Sequence, residues 1–409
     1  MHTDIEVSIA GIHCGLERLT LSGQLAVVFN PLVNCVPIIG AMSVFFYNAP
    51  AITFDLTGLG NLVEMPMLYR VLHNTVRNVI NGILVLPNRI SITLSPEADF
   101  FETFVQPCGF MQYTCVRGAA FQSVKTLGIA DVPDIYVRTR IGTHQFETST
   151  CHNSCDPVWE ITDDGSTSDE FLLYDSHQMI YLEVLEDDRF RNYMIGRIEV
   201  PCRELIDHHE MTLPCKRGRI VDGPSSESTI TVRGNIFTLS NDRQFFDAPP
   251  SGCINIDGDE YCVSKHALLV ALVDHTGPVP NMNLSAQCYL EVSVECAAPQ
   301  SSKVVKVVPE EETSWKCEFL FNCVRSDIVW SKSITISLMQ LAKGSKEKDP
   351  SRDLCLGSTS TSWDHLKGCT DMTFAEAHTE LHGGHQDGNP IMRSKLMLFS
   401  AFKMQTSGT

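Results

Sequence analysis

Between Leu19 and Phe54 the chain carries no charged side chain, and its apolar residues run on both faces of short alternating segments. Leu25, Val27 and Phe29 alternate with Ala26 and Val28, a break follows at Asn30-Pro31, and Val44-Phe45-Phe46-Tyr47 and then Ile52, Phe54 and Leu56 continue the pattern. Strands apolar on both faces are buried on both, or rest one face on protein and the other on a ligand. Asn30, Pro31, Asn34, Pro37, Asn48 and Pro50 interrupt the stretch. No apolar run therefore reaches the ~20 residues of a spanning helix, and the sequence predicts no transmembrane segment. Pro66 suits a helix start. Leu68, Leu72, Val76, Val79, Ile80 and Ile83 then recur at helical spacing, with Arg70, Asn74, Arg77 and Asn81 off that stripe. Gly82 and Pro87 bracket an exit into the extended segment 85–90.

From about 110 to 240 the pattern turns to short strands separated by polar turns, over 134–140, 179–185, 195–200 and 229–238, as in a β-sandwich. Residues 243–263 lie in a Pro-, Gly- and Asp-rich stretch and read as a linker. Strand patterns return over 266–273, 288–294, 302–308, 315–321, 333–341 and 394–403, with a charged loop at 343–353. The reading is mainly β with some α, in four pieces: 1–96, 105–242, the linker 243–263, and 264–405.

Charge and cysteine content narrow the function. A net charge of −18 argues against a nucleic-acid partner, which needs clustered Lys and Arg, and against simple docking on anionic lipid. The first piece is nearly neutral: Asp4, Glu6, Glu17, Asp55 and Glu64 stand against Arg18, Arg70, Arg77 and Arg89. The 16 cysteines form no CxxC pair, and the first residues lack the basic start of a secretory signal, so free thiols in a reducing compartment are expected.

Several separate motifs in order resemble the later part of the SMP domain, the tubular lipid-binding module of extended synaptotagmins and tricalbins. They are Gly23-Gln24-Leu25 with Asn30-Pro31-Leu32, Pro37-Ile38-Ile39-Gly40-Ala41, Phe45 to Pro50, Phe54-Asp55-Leu56-Thr57-Gly58-Leu59, Asn61-Leu62 with Pro66, and Leu84-Val85-Leu86-Pro87-Asn88-Arg89-Ile90. The resemblance covers about half of the module and implies a partial, TULIP-like tubular α/β half-barrel that shields acyl chains and pairs as a homodimer. The residues expected to line it are Leu25, Val27, Phe29, Val44, Phe46, Ile52 and Phe54.

The second piece resembles a C2 domain. Pro133-Asp134-Ile135-Tyr136 stands for the motif closing the first calcium loop, Asp156-Pro157-Val158-Trp159 for Asn-Pro-x-Trp, and Glu186-Asp187-Asp188-Arg189-Phe190 followed by Ile195-Gly196 for the third loop. Calcium takes six to eight oxygen ligands. The resemblance carries ligand roles to Asp134, Glu186 and Asp188, but Gly128 and Asn192 or Tyr193 replace two further acids, which implies a weak or vestigial Ca2+ site. The last piece resembles a second, degenerate C2 antiparallel β-sandwich. There Cys288 is read at the position of the Asp134 acid, no acid pair follows Leu338, and Cys355-Leu356-Gly357 and Trp363-Asp364-His365-Leu366 match later elements. Lys343, Lys346 and Lys348 are its candidate lipid contacts; the alternative is a solvated loop in a domain used for packing or protein contacts.

Gly-x-Ser-x-Gly, P-loop and GxGxxG motifs are absent, and the His382/His385 and His208-His209 pairs fall short of a metal site. No catalytic residue is assigned and no enzyme is expected. The resemblance implies lipid transfer or tethering on the cytoplasmic face of membranes, at contacts between the endoplasmic reticulum and the plasma membrane, with phospholipid as partner and weak calcium-dependent membrane docking by the first C2 domain. A C2-based protein scaffold without lipid is the alternative, and a lipid-modifying enzyme a distant third.

Overall fold

A computed structural model describes residues 5–404 apart from 10–11, 58–65, 122–123, 127–128, 160–168, 188–192, 206–209, 218–227, 278–284, 309–310, 312, 326–332, 346, 363, 368, 370–371 and 381–390. The chain divides into two units, Met1–Ile236 and Phe237–Thr409.

The first unit opens with β1 (Ile5–Ile9), β2 (Ile12–Ser22), β3 (Leu25–Phe29), β4 (Ala41–Phe46), β5 (Ala51–Thr57), α1 (Pro66–Leu84) and β6 (Ile90–Thr93). These form two three-stranded sheets, β1-β2-β5 and β3-β4-β6. The helix forms where the spacing predicts it, and one face closes on the first sheet. Ile52 and Phe54 of β5 pack there with Leu19, Leu21, Val76 and Ile80. Burying a side chain of that size stabilises the fold by about 1.5–3 kcal/mol.

A sandwich follows: β7 (Gly109–Ala119), β8 (Val124–Thr126), β9 (Ile129–Asp131), β10 (Ile135–Ile141), β11 (His144–Glu147), β12 (Asp169–Leu173), β13 (Met179–Glu186), β14 (Tyr193–Pro201), β15 (Glu210–Pro214), β16 (Lys216–Arg217) and β17 (Thr229–Ser240). One sheet has the order β11-β10-β13-β14-β16; the other joins β12, β7, β17 and β15. Inward residues of both, such as Met111, Tyr113, Ile135, Val137, Ile180, Leu182, Val184 and Val232, make one core. Trp159 of the Asp-Pro-x-Trp motif is part of it.

The half-tube is packed onto this sandwich. Asn48 clamps the start of β13: its Nδ2 donates to the His177 carbonyl at 3.2 Å, and its Oδ1 accepts the Met179 N–H at 2.7 Å. Beside the clamp, Ala26, Phe45 and Leu86 share a buried cluster with Tyr174.

The second unit contains α2 (Arg243–Asp247), β18 (Cys253–Ile256), β19 (Asp259–Gly277), β20 (Ala286–Val294), β21 (Ala297–Ser301), β22 (Val305–Val307), β23 (Thr313–Val324), β24 (Ser333–Gln340), β25 (Leu354–Ser362), α3 (Asp364–Lys367), β26 (Thr373–Glu380) and β27 (Ile391–Met404). It too is an antiparallel sandwich. The sheet β21-β20-β24-β25, with β22 on β20, faces one built of β18, β19, β27, β26 and β23. Leu269, Ala271, Val273, Leu290, Val292, Trp315, Phe321, Ile336 and Leu398 fill the core between them.

Residues 243–263 differ from the expected linker. They form α2 and a hairpin arm, and Phe245, Ala248, Val263, Ile254, Ile256 and Tyr261 cluster with Phe402. The Pro and Gly content belongs to the turns. Asp257 (φ 53°) and Gly258 (φ 97°) make the two-residue turn that a tight hairpin needs.

Candidate functional site

The sheet β3-β4-β6 has two chemically different faces. Leu25 stands opposite Phe46, Val27 opposite Val44 and Phe29 opposite Met42, while Val44 and Met42 face Ile90 and Ile92 on β6. With a side-chain period of two, these residues share one face. Ala26 and Phe45 lie on the other, buried against the sandwich, where Ser43 and Ser91 exchange a 2.9 Å hydrogen bond.

The first face is open. Leu25 is 52%, Val27 46% and Phe29 49% exposed, and Ile90 and Ile92 are exposed beside them. Val44 is half-buried within the strip. Four of the expected lining residues, Leu25, Val27, Phe29 and Val44, are thus brought together. Phe46 is buried at the end of the strip, where a Cβ added to Gly23 would come within 3.3 Å of its ring. Ile52 and Phe54 are placed elsewhere, under α1. Their alternation was legible, but the helix that covers one face of β5 takes them as core. Met42, Ile90 and Ile92 complete the strip and were missed. The signal was present as the Ile-Ser-Ile-Thr alternation after Arg89.

The loop between β3 and β4 extends this apolar surface. Leu32, Val36 and Ile38 are exposed, Val36 at 93%. Backbone bonds fix the loop: Val33 N–H to the Ile38 carbonyl at 2.7 Å, Gly40 N–H to Pro31 at 2.8 Å and Asn30 N–H to Ala41 at 3.0 Å.

The loop end of the first sandwich holds Asp134 and Glu186, two of the three expected calcium residues. Ile135 of β10 pairs with Glu186 of β13, and the Asp187 N–H donates to the Asp134 carbonyl at 2.7 Å, so the two acid-bearing segments are opposed. Asp134 Oδ1 accepts the Asn153 N–H at 2.7 Å, and Oδ2 lies 3.0 Å from His152 Nδ1. The bond to His152 is the main influence holding the Asp134 carboxyl below its ordinary range. Asp187 Oδ2 accepts the Thr150 hydroxyl at 3.2 Å. Glu186 is buried. Asp188 lies outside the described residues, as do Gly128, Asn192 and the His208-His209 and His382/His385 pairs. Among the described residues, no group of three His, Cys, Asp or Glu side chains is gathered as a metal ion requires. The described carboxylates therefore do not make up the six to eight oxygens calcium takes. Sequence reasoning missed His152 and Thr150, whose partners become visible only with the fold.

The second sandwich repeats the same ladder, which fixes the equivalence. Cys288 pairs with Gln340, and the Leu341 N–H donates to the Gln287 carbonyl at 2.9 Å. Thr148 in the first sandwich bonds Val137 through both its N–H and its hydroxyl; Ser302 treats Leu290 identically. Asp134, Glu186 and Asp187 thus correspond to Gln287, Gln340 and Leu341. This corrects the sequence reading by one residue: Gln287 stands at the Asp134 position, and Cys288 is core, with no exposed surface. Because Cys288, Tyr289 and Leu290 are all apolar and all buried, their pattern carried no parity to set the register.

The charged loop after β24 is also tied down. Asp353 accepts the Tyr289 hydroxyl at 2.8 Å and the N–H groups of Ala342 at 2.8 Å and Asp349 at 2.9 Å. Lys348 Nζ donates to the Ser302 carbonyl at 2.6 Å and the Ser301 hydroxyl at 3.1 Å and sits over the Tyr289 ring. Lys346 lies outside the described residues, and Lys343 is exposed. No helix among the described residues is long and apolar enough to cross a membrane.

Comparison with known proteins agrees with this architecture. The family described as the synaptotagmin-like mitochondrial-lipid-binding domain matches residues 1–95, and the C2 domain family matches residues 115–215. Human extended synaptotagmin-3 is 27% identical over 200 residues, covering 48% of this chain and 22% of that protein. Mouse extended synaptotagmin-2 is 27% identical over 214 residues, covering 50% of this chain and 25% of that protein. The matched part of the chain thus spans a quarter or less of these relatives. A solved structure of extended synaptotagmin 2, comprising its SMP domain and two C2 domains, superposes with a TM-score of 0.60 at 18% identity, covering 99% of this chain and 82% of that one. The pair of C2 domains from the same protein, with calcium bound, gives a TM-score of 0.51 at 17% identity, covering 74% of this chain and all of that one. At these identities the structural likeness shows the fold: an SMP-type tubular fragment with two C2-type sandwiches.

Proposed function

We propose, from the premise that the chain belongs to the extended synaptotagmin family, that it holds phospholipid acyl chains against the open face of β3, β4 and β6 and moves lipid between apposed membranes or tethers them. The setting is the cytoplasmic side of contacts between the endoplasmic reticulum and the plasma membrane, and the half-tube pairs with a second copy to lengthen the apolar path. No covalent step is needed.

One observation supports this reading above the others: Leu25, Val27, Phe29, Val44, Ile90 and Ile92 form an open, charge-free strip whose reverse face is packed on protein. Leaving large apolar side chains in water costs about 25 cal/mol per Å², and acyl chains would remove that cost. The exposed Leu32, Val36 and Ile38 continue the strip toward its loop end, where a bilayer would meet it. The strip carries no charged side chain and does not depend on calcium.

Val27→Asp tests it. Val27 is nearly half exposed, so a carboxylate there stays hydrated and the fold tolerates it. Native mass spectrometry of the variant is expected to show a folded chain stripped of lipid. Undiminished lipid loading would reject the strip as the lipid site and favour the scaffold reading.

A further inference from the structure

Two cysteines of the hairpin arm, Cys253 on β18 and Cys262 on β19, stand directly opposite each other with their sulfurs 3.2 Å apart. Their place in the ladder is defined by the turn. Ile256 pairs with Asp259 across the two-residue turn, so pairs alternate outward through Asn255 and Glu260, Ile254 and Tyr261, to Cys253 and Cys262. The Val263 N–H donates to the Gly252 carbonyl at 2.9 Å just beyond. Counting from the turn, the cysteines occupy a non-hydrogen-bonded site, where opposed Cα atoms lie about 4.5 Å apart. That falls within the Cα separation a disulfide spans, at its short end. Cys253 is exposed, so a soluble reagent can reach it.

We propose that Cys253 and Cys262 form a reversible, oxidant-accessible dithiol that closes to a cross-strand disulfide and locks β18 to β19 at the base of the arm. The reagent class is a low-molecular-weight disulfide. The Cys253 thiolate attacks one sulfur of the reagent, forming a mixed disulfide and releasing one small thiol. The Cys262 thiolate then attacks Cys253, forming the protein bond and releasing the second. Two protein thiols are oxidised, one reagent disulfide is reduced to two thiols, and the two protons leave with them.

The bond would close the base of the hairpin whose Ile254, Ile256 and Tyr261 pack on Phe245 and Phe402, the contacts that hold α2 against β27. The adjacent Cys262 thiol and Glu260 push the Cys253 thiol up, so closure quickens as pH rises. A built-in contrast exists in the same unit. Cys296 and Cys323 are 3.1 Å apart, but Cys323 is buried, so that pair reacts later.

The test uses the full chain treated with excess oxidised glutathione, alkylated and mapped by peptide mass spectrometry. The expected product is a 253–262 linkage about 2 Da lighter than the dithiol, appearing before any 296–323 linkage. Hydrogen exchange over 253–263 should then slow and recover on reduction; in Cys253→Ser the oxidant should leave it unchanged. The proposal is overturned if both thiols remain alkylable, if Cys253 stays as a stable glutathione adduct, or if exchange over the arm ignores the bond.

Discussion

The two sandwiches share a backbone and differ in what their loop ends carry. Each opposes a β10-type strand to a β13-type strand through one backbone bond, Asp187 to Asp134 in the first and Leu341 to Gln287 in the second. Each locks the neighbouring loop with a hydroxyl residue, Thr148 or Ser302. On that common ladder the first places Asp134, Glu186 and Asp187, and the second Gln287, Gln340 and Leu341. The side chains changed while the hydrogen-bond scheme stayed, so the scheme belongs to the fold and the carboxylates are additions to it. The second unit has also turned its long loop inward, pinning it with Asp353 and Lys348. Of the two described lysines of that loop, Lys348 is engaged and Lys343 is exposed.

The contrast can be broken most forcefully at Asp353. Its carboxylate accepts three hydrogen bonds, so Asp353→Ala strands three donors near the surface of the core. The expected loss is about 3 kcal/mol, read by hydrogen exchange over β20 and β24, with the first sandwich unaffected. Unchanged protection would mean the loop is not pinned.

Acid separates the two units next. His275 is buried in the second core with neither ring nitrogen hydrogen-bonded, opposite Trp315. Burial holds its pKa below the ordinary value. The unfolded chain therefore takes up the proton first, and stability falls as pH drops below about 6.5, by up to about 1.4 kcal/mol for each unit of depression. Exchange protection of the second unit should weaken from pH 7.5 to 5.5, and His275→Phe should flatten the change. His144 of the first sandwich is shifted the same way but lies at an exposed strand position, so the first unit should respond less.

Calcium gives the smallest expected effect. With Asp134 engaged by His152 and Asn153, and Asp187 by Thr150, titration of the full chain is expected to show binding no tighter than about 1 mM. Asp134→Asn should remove whatever heat appears, whereas Gln287→Asn should not alter it. Micromolar affinity would show that Asp188 and its neighbours complete a site after all.

Much of this was legible in the chain. The strands at Ile135–Ile141, Met179–Glu186 and Ser333–Gln340 lie where alternation put them, because along most of each one face is on a core and the other only half-buried. Legibility failed where that asymmetry vanished. Leu25 to Phe29 and Ile52 to Phe54 read alike, yet one set lies open and the other beneath a helix, and only the tertiary partner distinguishes them. The arm at 253–263 was hidden for a different reason: an Asp-Gly turn in a Pro-rich stretch reads as a spacer until its Ile and Tyr residues are seen to meet Phe402.

The Asn48 clamp has a mechanical consequence. Asn48 grips β13 at Met179, and the acid-bearing loop leaves the same strand at Glu186. Seven residue steps separate them and a strand advances about 3.3 Å per residue, so the clamp and the loop end stand about 23 Å apart along β13. The strand acts as a ruler: it fixes the spacing of those two points, which neither bending of a linker nor thermal motion of a tether could hold constant.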